Sequence, residues 1–304
     1  MIHRMKRHIA AAAIALASTT PAFAEAPAAT PETKPGNPAI WTIEKPNGGT
    51  ITLFGSVHLL PTAQSWRTPA FTEALAKADV VVFETPIEGM VTPEIQAYLA
   101  KNSMNPPGVT LSTLLSAEEK ATVEKAAAAV GIPFSVMEPY RPWLVGIQIG
   151  LGFVVKQGFD PNAGVDRAVE TEAKAAGKAL DYFETAQEQL DIFTTMPTDQ
   201  EKAFLVIGAE EILKSPDSMK DLLAAWASGD VASIDRLMNT GIEGMPELGK
   251  KLLEDRNAKW VGKIASTYMA DTKSYLIVVG AGHLAGKLGV PEMLRARGIA
   301  VSGP

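Results

Sequence analysis

Short apolar runs of strand length alternate with helical patterns near both ends of the chain. Ile40–Glu44 and residues 50–54 are rich in apolar side chains, and the sequence Pro46-Asn47-Gly48-Gly49 between them is typical of a β-hairpin turn. Val80–Phe83 is entirely apolar, which predicts an interior strand covered on both faces. Residues 69–78, just before it, have helical spacing. The pattern therefore predicts strands and helices that belong to one fold.

The middle of the chain is predicted to be helical. Gly131 and Gly177 stand where helices are expected to end. Three segments have the Ser/Thr-x-x-Glu pattern of the capping box, which opens a helix. They are residues 116–119, 185–188 and 198–201, with Ser116, Thr185 and Thr198 as the capping residues.

A long helix and a further strand are predicted near the C-terminus. Pro246 can open a helix that extends to residue 270, and residues 275–279 return to an apolar strand pattern. The order of elements predicts an α/β fold in which a large helical insertion, at about residues 90–272, separates the halves of one sheet.

The first residues have the pattern of a secretory signal peptide, predicted for residues 1–24. A basic start with Arg4, Lys6 and Arg7 precedes an apolar run at residues 9–17, and Ala24 ends a small-x-small cleavage pattern. We expect a tether at 25–38, a single domain at 39–304 and a soluble periplasmic or secreted protein. The apolar run is too short for a membrane span, and no later segment of about 20 apolar residues follows.

Composition excludes several classes of function. The chain has no cysteine, which excludes thiolate metal sites and cysteine nucleophiles. Its net charge is −6, so no basic surface indicates nucleic-acid binding. Of four histidines, His3 and His8 fall in the predicted signal peptide. Two histidines, His58 and His283, are left in the predicted mature chain.

These two histidines have the same local setting. Each follows a predicted strand in a Gly-x-x-His-Leu sequence, with Gly55 before His58 and Gly280 before His283. Glycine at a strand exit permits a sharp turn or a close backbone approach. Each imidazole would then lie beyond the carboxyl end of its strand, where open α/β sheets bind ligands.

A carboxylate stands at the end of another predicted strand. Glu84 follows Val80–Phe83, and its separation from His58 is close to the length of a β-α-β unit. We therefore expect both at the same edge of neighbouring parallel strands, with His283 beside them if its strand joins in parallel. Two imidazoles and a carboxylate suit Zn²⁺, Mn²⁺, Co²⁺ or Fe²⁺, with positions left for water. The chemistry predicted is metal-assisted hydrolysis.

Secondary candidates have simpler alternatives. Glu184 follows a predicted strand at 180–183 and is either a further ligand, the general base, or a carboxylate that favours the next helix start. Asp166 is explained adequately by capping or by the helix dipole. Tyr140 and Arg141 are assigned to structural packing rather than to the pocket.

Arg256 interrupts an apolar stripe in the predicted C-terminal helix. The stripe consists of Leu248, Leu252, Trp260, Ile264 and Tyr268. A buried arginine needs a carboxylate partner. We expect Arg256 to orient Glu84 or Glu184, or to hold a substrate carboxylate or oxyanion, rather than to extend to water.

The paired motifs resemble the TraB/PrgY/GumN family, which includes the animal Tiki proteases. The likeness covers residue 40 to the C-terminus and rests on 55–58, 280–283 and Glu84. Supporting matches are Gly164-Val165-Asp166, Phe183-Glu184-Thr185, Arg256-Asn257-x-x-Trp260 and His283-Leu-Ala-Gly286 with Gly289. The resemblance implies an α/β core related to erythromycin esterases and haem-binding ChaN-like proteins, with a mixed or mostly parallel sheet from two repeats. For the Tiki branch it also implies divalent-metal-dependent peptidase activity.

The leading hypothesis is a periplasmic metal-dependent hydrolase, specifically a peptidase, acting on a peptide or small-molecule substrate. His58, His283 and Glu84 are the predicted ligands of Mn²⁺, Co²⁺ or Zn²⁺, and Glu84, Glu184 and Arg256 are the predicted catalytic residues. Two alternatives stay open: a non-catalytic protein that binds haem, iron or another small ligand, and an envelope interaction module. The oligomeric state, the substrate and the identity of the metal do not follow from the sequence.

Overall fold

The structure is a computed structural model that describes residues 36–242 and 244–304. The predicted signal peptide lies outside the described residues, as does most of the predicted tether. At the described end of the tether, the amide of Gly36 donates to the carbonyl of Ser65 at 2.8 Å, and the amide of Asn37 donates to that of Ala227 at 2.7 Å. These bonds fix the entry of the chain into the sheet.

Five strands of the described chain form one sheet, in the order β1-β2-β5-β3-β4. The strands are β1 Ile40–Glu44, β2 Thr50–Ser56, β3 Val80–Phe83, β4 Ala179–Tyr182 and β5 Tyr275–Gly280. β1 pairs antiparallel with β2, whereas the pairs β2–β5, β5–β3 and β3–β4 are parallel. The predicted α/β fold with a mixed, mostly parallel sheet is confirmed.

The predicted hairpin joins β1 to β2. Gly48 and Gly49 have φ angles of +93° and +77°, which residues with side chains rarely adopt. The amide of Lys45 donates to the carbonyl of Gly49 at 3.2 Å and closes the turn. A Cβ on Gly49 would lie 2.5 Å from the carbonyl oxygen of Thr272. Glycine therefore lets this turn pass close to the loop before β5.

Helices pack on both faces of the sheet and form most of the insertion between β3 and β5. The α-helices are α1 Pro69–Lys77, α2 Pro93–Asn102, α3 Leu111–Leu114, α4 Ala117–Val130, α5 Pro142–Lys156, α6 Val165–Ala175, α7 Ala186–Thr194, α8 Thr198–Lys214, α9 Ser218–Ser228, α10 Val231–Ile242, α11 Pro246–Gly249, α12 Asp255–Lys263 and α13 Val290–Arg295. Among these residues no helix has both the length and the apolar character needed to cross a membrane.

The central strands are buried on both faces, as their uninterrupted apolar runs predict. Phe54 of β2 and Val278 of β5 belong to a core that they share with α1, α6 and α9. Leu53 and Ile277, on the opposite face of the same strands, pack with α12 and α13. Successive side chains of a strand point to opposite faces, so one pair of strands serves two cores.

Two of the three predicted capping boxes are present. At the start of α4, the amide of Glu119 donates to Oγ of Ser116 at 3.2 Å, and the amide of Ser116 donates to the Glu119 carboxylate at 2.7 Å. Thr185 and Glu188 make the same pair of contacts at the start of α7. Gly131 ends α4 in the left-handed conformation, with a φ of +80°. These local patterns predict the helix ends correctly.

The third predicted capping box is wrong. α8 begins at Thr198 itself, and Pro197 occupies the capping position without a side-chain hydrogen bond. Glu201 does not return to the helix start, because its carboxylate accepts from Arg141 Nη2 at 2.6 Å. Glu201 therefore pairs with Arg141, which is distant in sequence, and does not cap its own helix.

The predicted C-terminal helix is a continuous run from Pro246 to Tyr268, with two π-helical stretches. α11 leads into Lys250–Glu254, and α12 leads into Ile264–Tyr268. Arg256 lies in the first turn of α12, directly after the first π-helical stretch. Such stretches often occur at functional sites because they change which face a helix presents.

Candidate functional site

Four of the predicted site residues follow the carboxyl ends of parallel strands. His58 follows β2, Glu84 follows β3, Glu184 follows β4 and His283 follows β5. Because β5 lies between β2 and β3, the expectation that the strands of His58 and Glu84 are neighbours is wrong. The last strand of the chain is inserted between them, and it brings His283 to the middle of the group.

The glycine of each Gly-x-x-His segment permits a close approach. A Cβ on Gly280 would lie 3.1 Å from Oε1 of Glu84 and 3.6 Å from Nε2 of His58. The amide of Gly280 also donates to Oε1 of Glu84 at 2.6 Å. A Cβ on Gly55 would lie 3.0 Å from Cα of Ala281. The two segments therefore pack directly on each other, and the bare Gly280 leaves room for His58 beside Glu84.

Arg256 is the centre of this group, although it comes from a helix. Its Nη2 donates to Oε2 of Glu84 at 2.6 Å, and its Nε donates to both oxygens of Glu184 at 2.8 and 3.0 Å. Its Nη1 donates to the carbonyl of Leu252 and to Nε2 of His283, both at 3.0 Å. Burial opposes the positive charge, but Glu84 and Glu184 raise the pKa of Arg256 above its ordinary value.

His283 is a buried histidine whose surroundings favour the neutral ring. Its Nδ1 lies 2.6 Å from Oδ1 of Asn257, and the Asn257 amide is oriented by its own donation to the carbonyl of Leu288 at 2.7 Å. Nδ1 therefore carries the proton, and Nε2 accepts from Arg256. Burial and the charge of Arg256 lower the pKa of His283 to about 3.

His58 has the opposite electrostatics. Its Nδ1 lies 3.0 Å from Oδ1 of Asp166, and 26% of its side chain is exposed. Burial opposes its charge, but Asp166 and, to a smaller extent, Glu84 raise the pKa of His58 to about 9. Its Nε2 lies on the side of Gly280 and Glu84. His58 is therefore the histidine that can exchange a proton with the adjoining cavity.

Asp166 is the site residue to which the sequence analysis assigned a lesser role. The amide of Val165 donates to the carbonyl of Val57 at 3.0 Å, and a Cβ on Gly164 would lie 2.3 Å from the carbonyl oxygen of His58. Gly164 thus lets the start of α6 contact the His58 backbone, which places Asp166 against the imidazole. The explanation by capping or the helix dipole is incomplete. The signal in the sequence was the motif Gly164-Val165-Asp166.

The two buried glutamates hold Arg256 in place. Glu184 accepts from Arg256 and from Nε1 of Trp260, the latter at 3.0 Å. The amide of Glu184 donates to the carbonyl of Glu84 at 2.8 Å and so extends the pairing of β3 with β4. Burial opposes the charge of Glu84, but Arg256 and the nearby histidines hold its pKa well below the usual value.

His58, Glu84, Arg256 and His283 line one side of a cavity. Ser56 and Gln189 also line it, and each has a buried oxygen for which the described residues provide no hydrogen-bond partner. Gln189 donates through Nε2 to Glu84 at 3.4 Å. The other walls are apolar side chains, largely from the helical insertion. They include Ile192, Phe193, Met219, Leu222, Leu223 and Met238.

Tyr140 and Arg141 are absent from the described residues that line this cavity. Arg141 donates to the buried carboxylate of Glu201 and to the carbonyls of Asn102 and Thr194, at 2.6, 2.9 and 3.0 Å. It therefore ties the start of α5 to α2, α7 and α8, which is the structural role expected for this turn.

The donors of the predicted metal site do not fit a three-ligand centre in this arrangement. Both nitrogens of His283 are hydrogen-bonded, since Nδ1 contacts Asn257 and Nε2 contacts Arg256. A cation held by two carboxylates thus occupies the approach that a metal ion would need. His58 Nε2 and Glu84 Oε1 are left as two ligand atoms, and Oε1 already accepts from the amide of Gly280. Within residues 36–242 and 244–304, no group of three or more His, Asp or Glu side chains is arranged to hold a metal ion.

Comparison with known proteins identifies the family. A model of the TraB/PrgY/gumN family matches residues 39–303. The chain belongs to the TraB/PrgY/gumN family. The resemblance stated from the two Gly-x-x-His motifs is therefore confirmed. In this TraB/PrgY/gumN chain the match includes every strand of the sheet and every residue of the site described above.

Two relatives share most of their length with this TraB/PrgY/gumN chain. The uncharacterized protein YbaP of Escherichia coli (strain K12) is 22% identical over 264 residues, which covers 86% of this chain and 94% of YbaP. The uncharacterized protein YbaP of Shigella flexneri is 22% identical over 244 residues, which covers 80% and 87% respectively. The similarity to these relatives supports the family membership. Both are uncharacterized, so they indicate no activity.

Proposed function

We propose that the chain is a hydrolase of acyl bonds, amide or ester, that uses His58 and Asp166 for proton transfer and Arg256 to stabilise negative charge. The observation that carries the proposal is the His58–Asp166 pair beside the same cavity as Arg256. A carboxylate on one imidazole nitrogen, with the other nitrogen directed to a ligand, lets histidine act as a general base.

The proposed reaction moves one proton through His58. In the neutral ring, which is the major form only above its pKa of about 9, Nε2 takes a proton from water while the water oxygen attacks the carbonyl carbon of the substrate. Asp166, whose Oδ1 lies 3.0 Å from Nδ1, stabilises the imidazolium that forms. The proton then passes to the leaving nitrogen or oxygen as its bond to carbon breaks. The products are a carboxylic acid and an amine or an alcohol.

Arg256 has one hydrogen-bond donor left for a substrate. A guanidinium has five N–H donors. Four of those on Arg256 have acceptors: Glu184, Leu252, His283 and Glu84. The second hydrogen on Nη2 has no acceptor within the described chain, and Arg256 lines the cavity. We assign this hydrogen to the oxyanion of the tetrahedral intermediate, because fixed donors stabilise charge that develops there.

Glu84, Glu184 and His283 are positioning residues in this reaction. They hold three sides of the guanidinium, at distances between 2.6 and 3.0 Å. A carboxylate with the strongly lowered pKa of Glu84 is a weak base. We therefore assign proton abstraction to His58 rather than to the glutamates that the sequence favoured.

A chelator experiment separates this proposal from the metal-dependent one. The protein is incubated with EDTA, or with added Mn²⁺, Co²⁺ or Zn²⁺, and its turnover of peptides and esters is measured. We expect equal turnover in all samples, because Arg256 supplies the positive charge. Loss of turnover with EDTA and recovery with a metal ion would contradict the proposal and support the predicted site at His58, His283 and Glu84.

The substrate bond is found by direct assay. Wild-type protein and His58→Gln are each incubated with a complex peptide pool and with nitrophenyl esters, and cleavage is measured by mass spectrometry and absorbance. The proposal expects cleavage by the wild type and its loss in His58→Gln. Arg67→Gln is the matched control, since Arg67 pairs with Glu172 on the surface. Equal cleavage by wild type and His58→Gln would refute the assignment.

We further propose export to the periplasm or secretion, with cleavage near Ala24. The support is the basic start, the apolar run and the small-x-small pattern of residues 1–24. N-terminal sequencing of the protein from a cell-envelope fraction should begin at Glu25. A cytoplasmic protein that begins at Met1 would contradict this proposal.

A non-catalytic binding protein for haem, iron or another small ligand is the second candidate. The observation that favours it is the mainly apolar wall of the cavity, with His58 Nε2 at its polar side. Haem titration would give a Soret band that His58→Gln removes, with no turnover of peptides or esters. Turnover by the wild type would reject this candidate.

A further inference from the structure

The cavity wall is charged on one side only. Its ionisable side chains are His58, Glu84, Arg256 and His283, which form the polar cluster of the candidate site. The other described lining residues carry no charge, and most are aliphatic, thioether or aromatic. A ligand that fills this cavity therefore has one polar group and one extended uncharged part.

The polar cluster can accommodate the polar group of such a ligand. The buried oxygens of Ser56 and Gln189 have no hydrogen-bond partner in the described structure, and both residues line the cavity. Buried polar atoms normally have partners, so these two point to a ligand group that supplies them. A carbonyl between His58 and Arg256 can accept from Oγ of Ser56, and an adjacent amide N–H can donate to Oε1 of Gln189.

The apolar walls favour a hydrocarbon chain over a peptide chain. A peptide carries one N–H and one C=O per residue, and burying these without partners is costly. Moving an aliphatic chain from water into an apolar cavity is favourable in free energy for every methylene group, and the chain needs no hydrogen-bond partner. The walls from Met219, Leu222, Leu223 and Met238 match such a chain.

We propose that the acyl group of the substrate is a long, uncharged aliphatic chain, so that the enzyme hydrolyses a fatty acyl ester or amide. The inference rests on the proposed function, because the acyl carbonyl must lie between His58 and Arg256. It adds the substrate class: the carbonyl end lies at the polar cluster and the chain lies along the walls from α9 and α10.

A chain-length series tests the substrate class. Nitrophenyl esters with two to twelve acyl carbons are hydrolysed by the full-length protein, and kcat/KM is measured for each. We expect kcat/KM to rise with chain length, by roughly tenfold or more between the butanoyl and decanoyl esters, since the burial of each added methylene is favourable. Turnover that does not depend on chain length would overturn this inference and leave the proposed function standing.

A binding experiment separates failure of the inference from failure of the proposed function. Fluorescence of dansylaminoundecanoic acid is followed as it binds the protein and as decanoate or butyrate displaces it. Binding that decanoate reverses and butyrate does not is expected. Such binding without ester or amide turnover would support the chain-binding cavity and refute the hydrolase. No uptake of the fluorescent acid would overturn the inference itself.

A variant that shortens the cavity gives the sharpest readout. Leu222→Trp places a larger side chain on the wall, and we expect the ratio of kcat/KM for the decanoyl ester to kcat/KM for the acetyl ester to fall, so that the preferred ester becomes shorter. Leu213→Trp is the matched control, because Leu213 is exposed on α8. Leu223→Trp repeats the test should Leu222→Trp unfold. An unchanged length preference in a folded cavity variant would contradict the proposal.

Discussion

The two Gly-x-x-His segments have the same local sequence pattern and opposite chemistry. His58 is a quarter exposed and lies against the carboxylate of Asp166, whereas His283 is buried between Asn257 and Arg256. The pKa of His58 is raised to about 9 by Asp166 against the effect of burial, and the pKa of His283 is lowered to about 3 by burial and Arg256. The strands bring the two rings close together, and side chains from the helices determine whether each ring is protonated.

The difference shows why a repeated motif is not a repeated function. Asp166 lies on α6 and Asn257 on α12, so each histidine receives its partner from a different part of the helical segment. One partner is a carboxylate that favours the charged ring, and the other is an amide that only orients it. We infer that His58 carries the proton-transfer chemistry and that His283 supports Arg256.

The largest expected effect comes from removing the charge next to His283. Arg256→Met leaves Glu84 and Glu184 buried without their cation, which should lower the free energy of unfolding by about 3–5 kcal/mol and abolish turnover. Urea unfolding and the hydrolysis assay measure both effects. Arg67→Met is the matched control, because its surface pair with Glu172 should contribute about 1 kcal/mol or less. Equal stability losses in the two variants would contradict the central role of Arg256.

The next effect comes from removing the proton-transfer group. His58→Gln should lower kcat by roughly 10²–10⁴-fold, because general base catalysis contributes that much. His283→Gln should instead lower stability, since it leaves Asn257 and Arg256 with unsatisfied groups. The hydrolysis assay and urea unfolding distinguish the two variants. An unchanged kcat in a folded His58→Gln variant would contradict this division of roles.

A smaller effect is expected when His283 receives the kind of partner that His58 has. Asn257→Asp places a carboxylate beside Nδ1, now 2.6 Å from the amide oxygen. The pKa of His283 should rise above its present value, although burial and Arg256 keep it below that of His58. An NMR titration of the imidazole measures the change, with Asn47→Asp in the hairpin turn as the control. An unchanged pKa of His283 would show that Asn257 does not determine its protonation.

The fold could be predicted where short-range patterns decide it. The hairpin, the buried strands and the capping boxes of α4 and α7 follow from turn residues and spacing. The capping box at Thr198 failed because the arginine partner of Glu201 comes from sixty residues earlier in the chain. The position of β5 between β2 and β3 also depends on long-range pairing, which no local pattern records.

The site was predictable in its residues and less so in their roles. The interruption of an apolar stripe pointed to Arg256, and strand ends pointed to the histidines and glutamates. Asp166 was explained by its place in the first turn of α6, so its contact with His58 was missed. The sequence also does not show which side chain is hydrogen-bonded to Nε2 of His283. That nitrogen accepts from Arg256, and this contact decides the fit of a metal ion.

The opposite protonation of the two histidines also predicts opposite effects of pH on stability. Because the pKa of His58 is raised to about 9, its charge stabilises the fold below pH 6.5 and this contribution is lost as the pH rises through about 9. Because the pKa of His283 is lowered to about 3, its neutral ring stabilises the fold above pH 6.5, and this contribution is lost as the pH falls towards 3.

An NMR titration of the ¹⁵N-labelled imidazoles tests the charge difference most directly. His58→Gln and His283→Gln assign the two signals, and Asp166→Asn serves as a further check because it should lower the pKa of His58. We expect His58 to titrate near pH 9, and His283 to stay neutral, with its proton on Nδ1, down to the acid limit of the folded state. Two histidines that titrate together near pH 6.5 would contradict the division of roles between them.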